Sequence, residues 1–324
     1  MELYELFDYT LPNRVTEYMN YMLTVKNMSV DTAKNYKCEL RMFIRFLKKM
    51  KTKSKDKLDL IDISDVDDDF IRAITLSDMY AFISYISIER KNGAQARARK
   101  IAAIKSFFTY LETKAKVVNH NPARELESPK IEKRNPVYLT LDESKRLLDS
   151  ISGKHKERNY CIVVMFLNCG LRLSELISIN INNIKEDTLT VVGKGNKERT
   201  IYLNDLCLEA INDYLEVRVE PDSEDDKNAL FISGKRKRIS KKAIQDLLKK
   251  YFKQAELTGK KYTAHKLRHT AATLLYKHGG VDIRVLQQIL GHESVSTTQI
   301  YTHVDEEQLR DAVKLNPLSE FTKK

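Results

Sequence analysis

The feature that most constrains the fold is a helical pattern of apolar residues in residues 263–290, which glycine interrupts. The pattern runs to the pair Gly279–Gly280, restarts at Val281 and stops at Gly291. Glycine reaches the left-handed conformation that commonly ends a helix, so the segment predicts a helix, a turn, a second helix and a second turn. One part of the chain is therefore expected to be a helical domain.

The same segment concentrates side chains that can bind or activate an anion. His265 and Arg268 are three residues apart, so they project from one face of a helix and can reach one ligand together. His292 follows the second turn. Ser296–Thr298 then favour a new helix start, and Tyr301 follows within one turn of it. Any one of these residues alone is more often an ordinary core or surface residue, so the prediction rests on the set.

A zinc site is the competing interpretation of this segment. His265 and His269 stand at positions i and i+4, the spacing by which a helix presents two zinc ligands. The metalloprotease pattern needs a Glu directly after the first His, and this chain has Lys266 there, whose charge opposes a nearby cation. We therefore expect no metal.

Two motifs upstream extend the set. NCGLRLSEL places Arg172 directly after Gly170 and Leu171, with Glu175 three residues on, where it can orient the guanidinium; TVVGKGNKERTIYL carries Lys194 in a tight polar loop. The motifs GLRLSEL, GKGNKER, HKLRHTAAT, LGHES and STTQIYTHV stand in this order within residues 138–310. They resemble the tyrosine recombinase (phage integrase) family and, within it, the bacterial Xer-type site-specific recombinases.

The resemblance implies that Tyr301 attacks a DNA phosphodiester, leaving a 3'-phosphotyrosyl link and a free 5'-hydroxyl, and that a second strand reverses the attack. A phenol with a pKa of about 10 is mostly protonated at neutral pH, and His265 is placed to take its proton. The transition state gathers charge on the non-bridging oxygens of the phosphate. Arg172 and Arg268 offer planar, permanently charged forks for those oxygens, which lysine would not match.

The resemblance assigns the remaining two catalytic residues as well. Lys194, on a flexible stem in a loop, fits the general acid that protonates the leaving 5'-oxygen, and His292 would hydrogen-bond the same phosphate. Because a phosphotyrosine conserves the energy of the broken bond, no nucleotide cofactor is expected, and the sequence contains no GxxxxGK[ST] loop.

Charge favours a polyanionic partner. The formal net charge is +11, and residues 1–120 hold 21 Lys and Arg against 16 Asp and Glu, with 35 against 29 in the remainder. Both halves are therefore basic, as expected if both contact a DNA backbone. The candidate DNA contacts are Thr32 and Asn35 on one helix, Arg97, Arg99, Lys100 and Lys105 on another, and Arg236, Lys237 and Arg238 in the GKRKR stretch, for which a plain surface loop is the alternative.

Length and periodicity predict two domains. Residues 1–118 are expected to form a helical DNA-binding (core-binding) domain, 119–137 a Pro- and Asn-rich linker, and 138–324 the catalytic domain. Ser29 predicts a helix start in the first domain, and Thr140 followed by Glu143 predicts a capping box at a helix start in the second. Strands at Thr188–Val192 and Arg199–Leu203 flank GKGNKE and predict a hairpin. The expected fold class is mainly α with a small antiparallel β-sheet, as a two-domain, C-shaped DNA clamp. Residues 48–75 are expected to form a solvated loop.

Other signals concern the compartment. The cysteines, Cys38, Cys161, Cys169 and Cys207, form no CxxC and lie mostly in apolar patterns, which is typical of reduced core residues of a cytoplasmic protein. The longest apolar run, CIVVMFL, is too short to cross a bilayer. We therefore expect a cytoplasmic, nucleoid-associated protein with no membrane partner.

The expected partners are double-stranded DNA with a specific recombination site, further copies of the chain in a tetrameric synapse, and a second recombinase or an accessory protein. Two alternatives remain open. A type IB topoisomerase would use the same chemistry without a synapsed tetramer, and a non-catalytic DNA-binding protein would not need Tyr301. The sequence also leaves open whether the role is chromosome dimer resolution or integration and excision of a mobile element.

Tyr301→Phe should abolish the covalent DNA adduct while leaving duplex binding nearly unchanged, because it removes one hydroxyl and no charge. Denaturing gels would measure the adduct and gel shifts the binding. Comparable adduct from the variant would contradict the assignment of the nucleophile.

Overall fold

The computed structural model describes residues 10–131, 137–193, 197–257 and 262–291, together with Thr298. The chain divides into two compact units, Met1–Lys133 and Arg134–Lys324. The described elements are helical except for one three-stranded antiparallel sheet. The predicted fold class, mainly α with a small antiparallel sheet, is thus confirmed.

The first unit is a helical bundle. Its helices are α1 (Asn13–Thr24), α2 (Val30–Thr52), α3 (Asp68–Arg72), α4 (Leu76–Ile88) and α5 (Ala94–Thr113). The predicted helix start at Ser29 is confirmed, since its hydroxyl accepts from the Thr32 amide as an N-cap. Phe43 of α2 lies between Phe82 and Phe108 in edge-to-face contacts, with centroids 5.2 and 6.5 Å away, so α2 is the central helix of this core.

The prediction of a solvated loop over residues 48–75 is correct for residues 53–57, which lie outside helices and are largely exposed, and wrong for the rest of the segment. Helix α2 continues to Thr52, a short 3-10 helix covers Leu58–Leu60, and α3 begins after Asp67, whose carboxylate caps the Phe70 amide. Between them Ile61, Ile63 and Val66 are buried in the core of the unit. These apolar residues are too few and too irregularly spaced to give a helical period, which is why the pattern failed there.

The segment predicted as a linker begins inside the first unit. A 3-10 helix covers Pro122–Glu125, and the Asn121 side chain caps it by accepting from the Ala123 amide at 2.9 Å. Ala123 and Leu126 are fully buried in the core of that unit. Residues 119–126 therefore pack as part of the bundle, and the two units meet along the chain between residues 133 and 134.

The second unit forms around a buried helix. Its elements are α6 (Leu141–Asp149), α7 (Lys156–Cys169), α8 (Leu173–Ser178), β1 (Ile184–Lys185), β2 (Thr188–Val192), β3 (Glu198–Tyr202), α9 (Asp205–Val217), α10 (Lys241–Gln254), α11 (Ala264–Lys277) and α12 (Ile283–Leu290). The apolar run of α7 is buried on all sides, packed against α9 and α11. The predicted capping box of α6 is confirmed, because Thr140 and Glu143 exchange both side-chain to backbone bonds.

The sheet carries the hairpin that the sequence predicted. Strands β2 and β3 pair antiparallel with Thr188 opposite Tyr202 and Val192 opposite Glu198. The two-residue strand β1 adds to the outer side of β2, and it was too short to predict. Leu189, Val191 and Ile201 point into the core, so the hairpin is fixed at its base on the body of the unit.

Three of the four cysteines are buried as predicted, at Cys161, Cys169 and Cys207, while Cys38 is exposed on α2. The Cys169 and Cys207 sulfurs lie 3.8 Å apart as free thiols. Across the part of the chain that the structure describes, no helix is both long and apolar enough to span a membrane.

The prediction that Lys100 contacts a DNA phosphate needs correction. Lys100 is only 5% exposed, and its ammonium is paired with the Glu39 carboxylate, which is 6% exposed. The other Glu39 oxygen accepts from Arg99 at 2.9 Å. The ion pair joins α2 to α5 inside the bundle, so Lys100 stabilises the packing of two helices.

Glu39→Ala should lower the free energy of unfolding by about 3 kcal/mol, because it leaves the Lys100 ammonium buried without its counter-ion. Glu112→Ala is the matched control. Glu112 forms a salt bridge at 2.9 Å with Arg124, whose side chain is 66% exposed. That substitution should cost less than about 1 kcal/mol. Urea unfolding would measure both, and equal losses would contradict a buried role for the Glu39–Lys100 pair.

Candidate active site

The turn between α7 and α8 places Arg172. Helix α7 ends at Gly170 in the left-handed conformation with φ +58°, and a Cβ there would lie 2.9 Å from Cδ2 of Leu290. Only glycine meets both demands. Arg172 follows as the N-cap of α8, with extended backbone and its side chain turned to Glu175.

Glu175 is the buried centre of the site. It is 1% exposed, and its carboxylate accepts from the Arg172 amide at 2.7 Å and from Arg172 Nη1 at 2.6 Å. Arg199 of β3 donates to both oxygens, Nη1 to Oε1 at 2.6 Å and Nη2 to Oε2 at 2.9 Å. Burial alone would raise the pKa of this carboxyl; the bonds from Arg199 and Arg172 outweigh it and hold the pKa at about 2. Glu175 is therefore ionised at neutral pH.

Three arginines converge on this carboxylate and on the end of α12, and we call them the arginine cluster: Arg172, Arg199 and Arg268. Arg268 is 2% exposed, and its Nη1 lies 3.9 Å from Glu175 Oε2 while donating to the Gly170 carbonyl at 2.6 Å. Each of the last carbonyls of α12 accepts from a different member: Ile289 from Arg199 at 3.3 Å, Leu290 from Arg268, and Gly291 from Arg172 at 3.0 Å. The cluster thus caps a helix C-terminus, where cations are favoured.

The charge of the arginine cluster exceeds that of its described partners. Among the described residues, three guanidinium groups face one buried carboxylate and the partial negative charge of the end of α12. Such an excess in a protected position favours an anionic ligand. The Arg172 side chain is 32% exposed, so it is the member of the cluster that solvent reaches most.

A cavity of about 670 Å³ opens beside Arg172 and contains His265 in its wall. Helix α10 contributes Lys241, Gln245 and Lys249, which stand at intervals of four residues and so lie on one helix face. The sequence analysis missed this face of α10. The signal was present as basic and polar residues at positions i, i+4 and i+8, but an exposed helix face of that composition is common in any soluble protein.

His265 and His269 lie on adjacent turns of α11, with ring centroids 4.5 Å apart in an edge-to-face contact. Partial burial, Arg268 and Arg172 lower the pKa of His265 below its usual value. Burial, followed by His265 and Arg268, lowers the pKa of His269 to about 4. Both rings are therefore neutral near pH 7. Within the described residues no third metal-binding side chain joins them.

Three predicted catalytic residues, Lys194, His292 and Tyr301, lie outside the described residues. The positions just before two of them are described. Gly193 precedes Lys194 where β2 enters the hairpin loop; its amide donates to the Lys197 carbonyl at 2.7 Å, and a Cβ there would lie 3.7 Å from Glu175 Oε1. Gly291, whose carbonyl Arg172 caps, precedes His292. The chain thus enters both undescribed segments from the arginine cluster.

The predicted DNA contacts of the first unit differ in accessibility. Asn35 and Arg99 are exposed. Thr32 is half-buried, with its hydroxyl 2.8 Å from that of Ser29. Arg97 is half-buried and donates to the Ser87 hydroxyl at 2.7 Å, and Lys105 donates to the Arg124 carbonyl at 3.3 Å.

The GKRKR stretch is a tight turn in the second unit, and Arg238 is its half-buried arginine. Arg238 donates to the Ile177 carbonyl at 2.9 Å and to Asn180 Oδ1 at 2.6 Å, so its guanidinium fixes the chain that follows α8. Arg236 is exposed, with φ +54°, and pairs with Asp222 at 2.9 Å. Lys237 is exposed.

Comparison with known proteins places this site in a family context. The model of the phage integrase family matches residues 137–308. The chain is similar to the tyrosine recombinase XerC of Caldanaerobacter subterraneus subsp. tengcongensis, 58% identical over 95% of this chain and 88% of the relative. It is also similar to the tyrosine recombinase XerC of Thermodesulfovibrio yellowstonii, 33% identical over 94% and 96%.

A solved structure has the same fold. The XerH site-specific recombinase, in a post-cleavage complex with its palindromic difH substrate, matches with a TM-score of 0.70 over 90% of this chain and 81% of that chain. The two sequences are 22% identical, so this likeness concerns the fold.

Glu175→Gln should lower the free energy of unfolding by about 3 kcal/mol at pH 7, the equivalent of holding the carboxyl pKa about 2.5 units below its usual value. A depressed pKa stabilises the fold above the ordinary glutamate pKa of about 4.5. That contribution is lost as the pH falls towards about 2. The difference between the two proteins should therefore shrink over that window.

Urea unfolding at a series of pH values would measure this difference. The matched control is Glu143→Gln, which alters the equivalent capping-box glutamate at the exposed start of α6. A difference for Glu175→Gln that stays constant from pH 7 to pH 3 would show that its carboxylate charge does not stabilise the fold.

Proposed function

The chain belongs to the phage integrase family and is a Xer-type tyrosine recombinase, and we propose that Tyr301 is the nucleophile with which it cuts and rejoins DNA at a specific site. The observation that carries the assignment of the catalytic centre is the arginine cluster. Arg172 and Arg268 are fixed around one ionised carboxylate beside a cavity that contains His265. Charge of this sign and density suits a phosphodiester.

We assign the catalytic roles from this arrangement. Arg172 and Arg268 stabilise the charge that develops on the non-bridging oxygens, and Glu175 holds Arg172 in place through two bonds. The lowered pKa of His265 keeps its imidazole neutral, the form that can accept the proton of the tyrosine hydroxyl. In this scheme the attack breaks the bond from phosphorus to the 5'-oxygen, and Lys194 gives that oxygen its proton.

Residue His292 completes the proposed phosphate site. It follows Gly291 directly, and the Gly291 carbonyl is bonded to Arg172, so the chain leaves α12 next to the guanidinium. We propose that His292 donates a hydrogen bond to a non-bridging oxygen of the same phosphate. The chemistry that these residue types supply is proton transfer and charge stabilisation, for which no cofactor is needed.

DNA binding follows from the family and is supported by two basic surfaces. On the second unit, Lys241 and Lys249 of α10 share a cavity with Arg172, and we propose that they contact the backbone next to the cleaved phosphate. On the first unit, the exposed Asn35 and Arg99 are the strongest candidates. We propose that the first unit, Met1–Lys133, is a DNA-binding domain.

The assembly that acts on DNA is also a proposal. A site-specific exchange joins two duplexes, so we propose a tetrameric synapse on double-stranded DNA, with a second recombinase or accessory protein as a further partner. Chromosome dimer resolution and mobile-element integration or excision both fit this chemistry.

The test is covalent capture on nicked duplexes of random central sequence, each with a nick that lets the 5'-hydroxyl strand diffuse away after cleavage. The unmodified chain should accumulate a protein–DNA adduct from a restricted set of sequences, and sequencing would identify the site. Arg172→Lys should form the adduct about 100-fold more slowly despite its retained charge, because the planar fork is lost. Near-normal cleavage by this variant would contradict the clamp on the phosphate.

Lys194→Ala is the second variant in this test. It should slow cleavage of the captured duplex, and a 5'-bridging sulfur, whose leaving group needs no proton, should restore most of the rate. Rescue of Arg172→Lys to the same extent would show that the sulfur does not report the general acid. No adduct from the unmodified chain on any sequence would favour a non-catalytic DNA-binding protein.

A further inference from the structure

Arg199 is the member of the arginine cluster that the catalytic scheme leaves unused. It lies on β3 five residues after Lys194, its side chain is 13% exposed, and it faces away from the bulk of the solvent. It makes two bonds to Glu175, at 2.6 and 2.9 Å, and the shorter one equals the bond from Arg172 Nη1 to the same carboxylate. A buried guanidinium that makes two bonds to one carboxylate is held in one orientation.

Arg199 also supports the end of α12. Its Nε donates to the Ile289 carbonyl at 3.3 Å, and Cδ lies 2.9 Å from where a Cβ of Gly291 would stand. Gly291 has φ +61°, so glycine is required there both by the backbone and by this side chain. The carbonyl of the same Gly291 accepts from Arg172.

The third neighbour of Arg199 is Gly193, where β2 enters the hairpin loop. A Cβ on Gly193 would stand 3.7 Å from both Arg199 Nη1 and Glu175 Oε1. One side chain thus meets the carboxylate that orients Arg172, the turn before His292 and the residue before Lys194.

Resting on the proposed function, we infer that Arg199 is a positioning residue for strand cleavage, which fixes Arg172 through Glu175 and holds together the two turns from which Lys194 and His292 follow. It does not touch the phosphate in this scheme. Its effect on the reaction is carried by the groups it orients, so its loss should slow the chemical step while DNA affinity is retained.

The experiment uses the full chain and the duplex obtained by covalent capture with the unmodified chain. Arg199→Met should lower the single-turnover cleavage rate about 100-fold, the order expected when a catalytic group is displaced by about an ångström. Its Kd for the uncleaved duplex should stay within about twofold, a limit typical of sites that do not interact. Arg199→Lys keeps the charge and should recover only part of the rate, because lysine cannot make the two-point bond.

Arg218 offers a matched control in the same unit. It is also a half-buried arginine that donates to backbone carbonyls, at Lys227, Ala229 and Leu230, but none of its bonds reaches the arginine cluster. Arg218→Met and Arg218→Lys should leave the cleavage rate of the folded protein unchanged. Circular dichroism would establish the folded fraction of every variant.

A double-substitution cycle with Glu175→Gln decides whether Arg199 acts through the carboxylate. In the Glu175→Gln background, Arg199→Met should lower the cleavage rate by a smaller factor than in the unmodified chain, because the part of its effect that acts through the carboxylate is already lost. If Arg199→Met fails to fold, the cycle is run with Arg199→Lys. Equal rate losses at Arg199 and Arg218, or independent losses at Arg199 and Glu175, would overturn the inference while the proposed function stands. Absence of adduct from the unmodified chain would overturn both.

Discussion

The ion pair network around the Glu175 carboxylate is the interaction on which the rest of the site depends. A carboxylate that is 1% exposed is stable only when its charge and its lone pairs are satisfied. Here they are satisfied by Arg172, Arg199 and the amide at the start of α8. Because these donors come from the α7–α8 turn and from β3, one anion ties two distant stretches of chain together, and α11 adds Arg268 at the edge of the network.

Helix α12 supplies the second half of this arrangement. Its last carbonyls would otherwise point at solvent or lie buried without donors. Three guanidinium groups satisfy them, so the helix end and the carboxylate share the same cations. Lysine could not reproduce this, since one ammonium does not reach a carboxylate and a carbonyl with fixed, coplanar donors. The cost of burying so much charge is met by mutual pairing, which is typical of a site that must be ordered before its ligand arrives.

The sequence predicted the structure best where the chemical type of a residue and the helical spacing indicated the same feature. The ends of α6, α11 and α12 followed from capping residues and glycines, and the spacing of Arg172 and Glu175 predicted their contact. Arg199 was not recognised, because on an isolated strand it looks like any solvated charge; its partners are 24 and 90 residues away. Lys100 was placed on the surface for a related reason. Helical spacing puts it at the edge of the apolar face, and only the position of Glu39 on a neighbouring helix draws it inward.

The two bonds that hold Arg172 have a stereochemical consequence. A guanidinium has five N–H groups, and Nη1 bonded to Glu175 together with Nη2 bonded to Gly291 fixes the plane of the group in space. A fork pinned in this way cannot turn to follow a ligand. The two non-bridging oxygens of a DNA phosphate, pro-R and pro-S, occupy different positions around a prochiral phosphorus. If Arg172 holds the phosphate as proposed, its fixed fork would meet these two oxygens at different angles and bind them unequally.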